Sequence, residues 1–235
     1  MEFTLLGAAA IAVTGFWLML RWEAKRGNAA GCALDLWDAG LVSAITGILI
    51  GRLVAMMQTG ISPISNPAQI ILIRSGVSTA GAAIGTLLVF AFLARRDPIV
   101  AGDAIGPAAL VGLAGWHAGC LVTSSCLGTE SSLPWAIALP GSDVTRHPVE
   151  LYAAAALLIA GVGLALWKQR GRPPLGSIIG AAILAASAIR LATELLRISL
   201  AGGPIYLYAT GMVVGAAIII ASFVMRSRRP IADSR

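Results

Sequence analysis

The residues able to do chemistry in this chain are few, and most of them interrupt apolar sequence. Arg52, Asp103, His117, Arg190 and Glu194 lie within or at the ends of long apolar runs, and Glu150 lies close to the outer edge of another. A charge at membrane depth is costly, so it faces a bundle interior or marks a site. Arg190 and Glu194 are four residues apart on one helical face, and Arg197 continues that face. They can pair with each other, or Arg190 can hold an anion such as a lipid phosphate while Glu194 orients it. Arg52 has no acidic neighbour within a turn, so its partner is on another helix, on a lipid headgroup or in water. Asp103 follows Gly102 just ahead of an apolar run and reads as a helix N-cap.

The chain has two histidines. His117, in Trp116-His117-Ala118-Gly119-Cys120, reads as a satisfied interior or interfacial residue near the outer end of its run. With Cys120 and Cys126 it supplies only three soft ligands and no C-x2-C pair, so neither metal nor cofactor is expected. Cys120 and Cys126 fall on the outer, more oxidising side, which leaves a disulfide between them open. Cys32 reads as a free thiol on the opposite side. His147-Pro148-Val149-Glu150-Leu151-Tyr152 reads as a helix start, with Pro148 in the first turn and Glu150 near the positive end of the helix dipole. Helix-start chemistry accounts for Pro148 and Glu150 but demands neither His147 nor Tyr152.

The elements that must position these residues follow from composition. Of 235 residues, 57% are hydrophobic and 12% charged, about half the charge of a soluble domain. This excludes a nucleic-acid-binding domain, a disordered tail and a disulfide-stapled secreted scaffold. A span needs about 20 mostly apolar residues. Seven runs qualify: Leu5 to Leu20, Leu41 to Met57, Val77 to Leu93, Ala104 to Val122, Leu151 to Trp167, Ile178 to Leu196, and Ile205 to Met225. The expected fold is an all-α polytopic bundle, a single transmembrane domain over residues 1–235 with seven transmembrane helices.

The +6 net charge then reports topology. Arg21, Lys25 and Arg26, Arg95 and Arg96, Lys168, Arg170 and Arg172, and Arg226, Arg228, Arg229 and Arg235 follow alternate runs. Only Arg74, Arg146 and Arg197 lie on the other side. By the positive-inside rule the N-terminus is outside and the C-terminus cytoplasmic. The first run, preceded by an acid and followed by basic residues, does not read as a cleavable signal. Gly27-Asn28 and Pro173-Pro174 mark tight cytoplasmic turns. The segment from Thr123 to Arg146, with Leu133-Pro134-Trp135 and Leu139-Pro140-Gly141, suggests an interfacial hairpin or short helix, and Trp135 suits an aromatic belt.

These residues together resemble the prolipoprotein diacylglyceryl transferase family. His147-Pro148-Val149-Glu150-Leu151-Tyr152 resembles the family's H-P-x-Q-L-Y, and Gly51-Arg52-Leu53 its G-R-[IL]. Asp103 matches an aspartate opening span four, Arg190-x3-Glu194 resembles an R-x3-E in span six, and Leu133-Pro134-Trp135 resembles a further pattern. The resemblance implies a seven-span enzyme of the bacterial inner membrane with an outer N-terminus. Such enzymes move diacylglyceryl from phosphatidylglycerol to the cysteine of a lipoprotein precursor. It implies candidate catalytic residues His147, His117, Arg190 and Glu194. It implies lipid or phosphate contacts at Arg52, Arg190, Arg146, Asp103, Gly128, Glu150 and Tyr152.

The departures are concentrated. The family signature R-x-G-N-F-x-N-x-E-x-x-G runs here from His117 to Gly128 and keeps only Gly119 and Gly128. Arginine becomes His117, asparagine Cys120 and glutamate Ser125. The cysteines resemble a shorter branch with G-C-x4-C-C-x-G, although Ser125 replaces its middle cysteine. The S-x-H-G-G of span three has Ala80 for its histidine, and a tyrosine four residues before Arg190 is Ala186. A thiol near pKa 8.5 is only a few per cent ionised at neutral pH, and losing a positioned base costs about two to four orders of magnitude. His147 or His117 is left to serve. The alternative is a catalytically degenerate, lipid-binding accessory subunit of a larger membrane complex. A third reading is thiol chemistry at Cys120 and Cys126.

Overall fold

The computed structural model describes residues 2–28, 31–71, 76–123, 127–138, 141–198 and 203–227. Each of the seven apolar runs falls mainly on one helix, namely α1 (Glu2–Ala24), α2 (Leu36–Gln58), α4 (Thr79–Leu93), α5 (Pro98–Ala118), α7 (Val149–Gly171), α8 (Ser177–Glu194) and α9 (Ile205–Ser227), although the run from Ala104 to Val122 is broken at Gly119. Two single turns, α3 (Ala68–Ile71) and α6 (Cys120–Thr123), and two short strands, β1 (Ile137–Ala138) and β2 (Thr145–Arg146), complete the described elements. Helices α2, α5, α7, α8 and α9 are long and apolar enough to cross a membrane, and α4 is a shorter apolar helix. This is a multi-pass membrane protein.

The chain forms two compact units, Gly31–Ala101 on the one hand and Met1–Ala30 with Gly102–Arg235 on the other. In the first, α2 packs on α4. Asp35 caps α2 by accepting from the N–H groups of Trp37 and Asp38 at 2.9 and 3.1 Å. Ser78 caps α4 through Gly81 at 3.3 Å, so that helix starts two residues after Val77. Gly47 and Gly51 of α2 meet Ala82, Thr86 and Ser78, while Gly81 and Gly85 of α4 meet Val54 and Ile50. Apolar burial does not drive helices together in lipid, and close backbone approach over small residues supplies packing instead.

In the second unit, α7 packs on α8 and α8 on α9, with Gly180 and Gly215 at the α8–α9 contact. Buried Leu110, Ala114, Leu157 and Ala182 form a core shared by α5, α7 and α8. Helix α1 meets α5 where Gly112, Gly115 and Gly119 face Phe16, Ala12 and Ala8. At the other end of α1, Glu23 is buried and takes Lys168 Nζ at 3.2 Å and Asn28 Nδ2 at 3.0 Å. That pair ties the first helix to α7.

Two helix starts differ from the sequence reading. Asp103 was expected to cap its own helix, but α5 begins five residues earlier at Pro98, whose fixed φ suits a first turn. The Asp103 carboxylate instead caps α8, accepting from Gly176 N at 2.7 Å and Ile179 N at 2.8 Å. Gly176 holds φ 92° there, a left-handed conformation that glycine adopts without strain. Pro148 occupies the N-cap position of α7, one residue ahead of its first turn.

Candidate functional site: a buried cluster of charges around Glu150

The first turn of α7 delivers Glu150 to a place where three other elements bring charge. His117, at the C-terminal end of α5, sets its Nδ1 2.5 Å from Glu150 Oε2. Arg190 of α8 places Nη1 3.4 Å from the same oxygen and Nη2 3.4 Å from Glu194 Oε2. Arg197, beyond the end of α8, reaches Glu150 Oε1 at 3.7 Å and Glu194 Oε2 at 3.8 Å. The Arg190 guanidinium also lies over the Tyr208 ring of α9, 5.8 Å from its centroid, within cation–π range.

Burial makes this arrangement consequential. Side-chain exposure is 4% at Glu194, 9% at Arg190, 11% at His117 and 13% at Glu150, against 45% at Arg197. Isolated charges withdrawn from water are strongly unfavourable, and only good pairing offsets that cost. Two carboxylates and two guanidiniums balance here, with the imidazole on the Glu150 edge. The Glu194 carboxylate also lies against Gly203, where any side chain would overlap it.

The segment before α7 forms a second group of polar residues. Of the hairpin or short helix expected there, the described residues form the strand pair: β1 and β2 are antiparallel with Ile137 opposite Arg146, and Glu130 bridges to Arg146. Gly128 N donates to His147 O at 2.7 Å, His147 N to Thr129 O at 3.0 Å, and Thr129 N to Leu196 O at 2.9 Å. A side chain at Gly128 would overlap Val149 and the Leu196 carbonyl. The Trp135 indole N–H donates to Tyr152 Oη at 2.7 Å, and His147 Nδ1 lies 3.3 Å from that oxygen. Arg146 contacts Gly128 O and Glu130 Oε1, each at 3.4 Å.

The other sequence candidates are placed differently. Arg52 belongs to the first unit, where Nε and Nη2 donate to Gln69 O at 3.0 and 2.8 Å and Nη1 to Gly76 O at 2.8 Å. Its described partners are thus backbone carbonyls, and Gln69 is on α3, so a partner on another helix, one of the options the sequence left open, is present. Asp103 is engaged at the start of α8. Cys120 is disulfide-bonded and Cys32 is a free thiol; Cys126, like Ser125 and Arg74, lies outside the described residues. Among the described residues no three or more His, Cys, Asp or Glu side chains gather as a metal set. Sequence reasoning gave Arg197 no role in the site and missed Tyr208. Arg197 was placed on the Arg190 face by its spacing, seven residues on, and that spacing was the signal for a role beside Glu194.

The family model described as prolipoprotein diacylglyceryl transferase matches residues 3–227. The chain belongs to this family. It is similar to curated proteins named phosphatidylglycerol–prolipoprotein diacylglyceryl transferase. One from Cupriavidus pinatubonensis is 27% identical, covering 90% of this chain and 83% of the relative. One from Pseudomonas paraeruginosa is 29% identical over 80% of this chain and 73% of its own length. One from Methylococcus capsulatus is 27% identical over 80% and 74%. These relatives carry the transferase name, and none of them lends support to the accessory-subunit alternative. As a member of the prolipoprotein diacylglyceryl transferases, the chain departs from the motifs quoted above at both His117, in place of arginine, and Glu150, in place of glutamine. These two departures are the two sides of one contact.

Proposed function

We propose that this protein transfers diacylglyceryl from phosphatidylglycerol to a cysteine thiol of a lipoprotein precursor, in the bacterial inner membrane. Seven spans, an outer N-terminus and a cytoplasmic C-terminus form part of the reading, with residues 1–235 as a single transmembrane domain. The observation that supports it most is the buried cluster of Arg190, Glu194, Glu150 and His117 in a chain of this family. An anionic phosphodiester needs guanidinium donors, and Arg190 and Arg197 offer two whose present partners are side-chain carboxylates. A planar guanidinium can give two parallel hydrogen bonds to a phosphate, so exchange of one carboxylate partner for a phosphate oxygen keeps it satisfied.

The reaction forms a carbon–sulfur bond and breaks the ester carbon–oxygen bond between the diacylglyceryl unit and phosphate. The bonding electron pair stays on the phosphate oxygen, so glycerol phosphate leaves. Donors held around that oxygen stabilise charge that develops in the transition state. Arg146, Gly128, His147 and Tyr152 belong to the segment that would border the lipid headgroup. Arg52 and Asp103 act by fixing backbone, Arg52 at the α2–α4 connection and Asp103 at the start of α8.

The test is transfer of labelled diacylglyceryl from phosphatidylglycerol vesicles to a lipobox peptide by the purified chain, with Arg190→Ala alongside. Transfer that Arg190→Ala abolishes supports the reading. Absence of transfer by the unaltered chain overturns it, and transfer that Arg190→Ala leaves intact removes the site from it.

A further inference from the structure

The transfer reaction proposed above requires something to take the thiol proton, and from the geometry we infer that His117 is that base, with Glu150 as the residue that positions it. The inference rests on the transferase reading. The Nδ1 of His117 lies on Glu150 Oε2, and both side chains are nearly buried, at 11% and 13% exposure. A carboxylate accepts only, so Nδ1 carries the proton and Nε2 of the neutral ring is left with its lone pair. A third group that fixes tautomer and ring orientation, and then stabilises the imidazolium, is the arrangement that lets histidine act as a base.

Glu150 is itself held in place. Arg190 contacts the oxygen that meets His117, and Arg197 contacts the other. The ionisable groups gathered about the imidazole are therefore Glu150 from α7, Arg190 and Glu194 from α8, Arg197 beyond it, and Tyr208 of α9 through Arg190. Helix α1 meets the end of α5 at Ala8, Ile11 and Ala12, which carry no charge. His147 lacks this support: its described side-chain partner is the Tyr152 hydroxyl at 3.3 Å, which already accepts from Trp135. A hydroxyl cannot stabilise an imidazolium as a carboxylate does.

The step balances. The thiol proton moves to His117 Nε2 as sulfur bonds to the diacylglyceryl carbon. The ester oxygen leaves with its electron pair on glycerol phosphate, and the imidazolium returns the proton to that product or to water. The same cluster thus holds base and phosphate donors within one group of contacts. Arg190 is their common neighbour.

The experiment uses the full chain in phosphatidylglycerol vesicles with a lipobox peptide, and follows the initial rate of transfer as peptide concentration is varied. His117→Ala is expected to slow transfer about a hundredfold or more, and added imidazole to restore part of the rate. Glu150→Gln keeps a hydrogen-bond acceptor but loses the charge. It is expected to lower kcat more than it raises KM, because the imidazolium formed during the step loses its stabilising carboxylate. A His117→Ala chain as fast as the unaltered one contradicts the inference and leaves the transferase reading standing. So does imidazole rescue confined to His147→Ala, or a His117→Ala defect that imidazole leaves unchanged while Glu150→Gln keeps the original kcat. An unaltered chain with no transfer overturns both.

Discussion

Two buried arginines, one in each compact unit, illustrate two uses of the same side chain. Arg52 and Arg190 are 1% and 7% exposed. The described partners of Arg52 are the carbonyls of Gln69 and Gly76, on the connection between α2 and α4. Those of Arg190 are the carboxylates of Glu150 and Glu194 and the face of Tyr208. A backbone carbonyl can neither rotate away nor take a proton, so the first arginine clasps a chain path. Side-chain carboxylates can do both, so the second belongs to a cluster able to rearrange around an anion. Residue type and burial alone do not separate a structural arginine from a working one; partner chemistry does.

Substitutions can break this contrast, and the largest effect is expected at the second arginine. Arg190→Ala removes the bridge between two nearly buried carboxylates, and losing one partner of a buried pair costs about 3–5 kcal/mol. In the labelled-lipid assay it is expected to reduce transfer by at least about two orders of magnitude, taking about 1.4 kcal/mol per tenfold. Arg52→Met reverses the pattern. It leaves the Gln69 and Gly76 carbonyls without their donor, at about 1–3 kcal/mol for each buried group left unsatisfied. The loss is expected in thermal stability of the detergent-solubilised chain, with residual transfer scaling with the folded fraction.

Two smaller effects sharpen the comparison. Asp103→Ala removes both acceptors for the Gly176 and Ile179 N–H groups, a cap worth about 1 kcal/mol, whereas Asp103→Asn keeps one acceptor oxygen and so one of the two bonds. Comparing thermal midpoints of the two variants checks this, and equal midpoints would remove the capping role. Trp135→Phe deletes the indole N–H to Tyr152 together with one ring of an exposed side chain, and the lost hydrogen bond is expected to cost about 0.5–1.5 kcal/mol. Hydrogen–deuterium exchange of the 128–148 segment is expected to rise in that variant.

Much of this was legible in the sequence because intramembrane charges are scarce. Arg190, Glu194 and Glu150 stood out against apolar sequence, and the i, i+4 spacing already paired two of them. What spacing could not give was contact between elements distant in sequence. His117 and Glu150 are 33 residues apart, and each has a sufficient local explanation, one as an interfacial histidine and the other as a helix-start acid. Asp103 shows the same limit. Its capping chemistry was legible, but the helix it caps begins more than 70 residues later and is brought to it only by packing. Arg52 was read as finding its partner on another helix, on a headgroup or in water, because sequence carries no record of which backbone carbonyls turn inward.

The cluster around Glu150 is the proposed seat of diacylglyceryl transfer. The most direct measurement compares the unaltered chain with Arg190→Ala for labelled diacylglyceryl reaching a lipobox cysteine from phosphatidylglycerol, both proteins purified in vesicles and matched for folded fraction. Ready transfer by the first, with the second at least about a hundredfold slower, is the expected result. No transfer by the unaltered chain, or equal rates for the two, would contradict it.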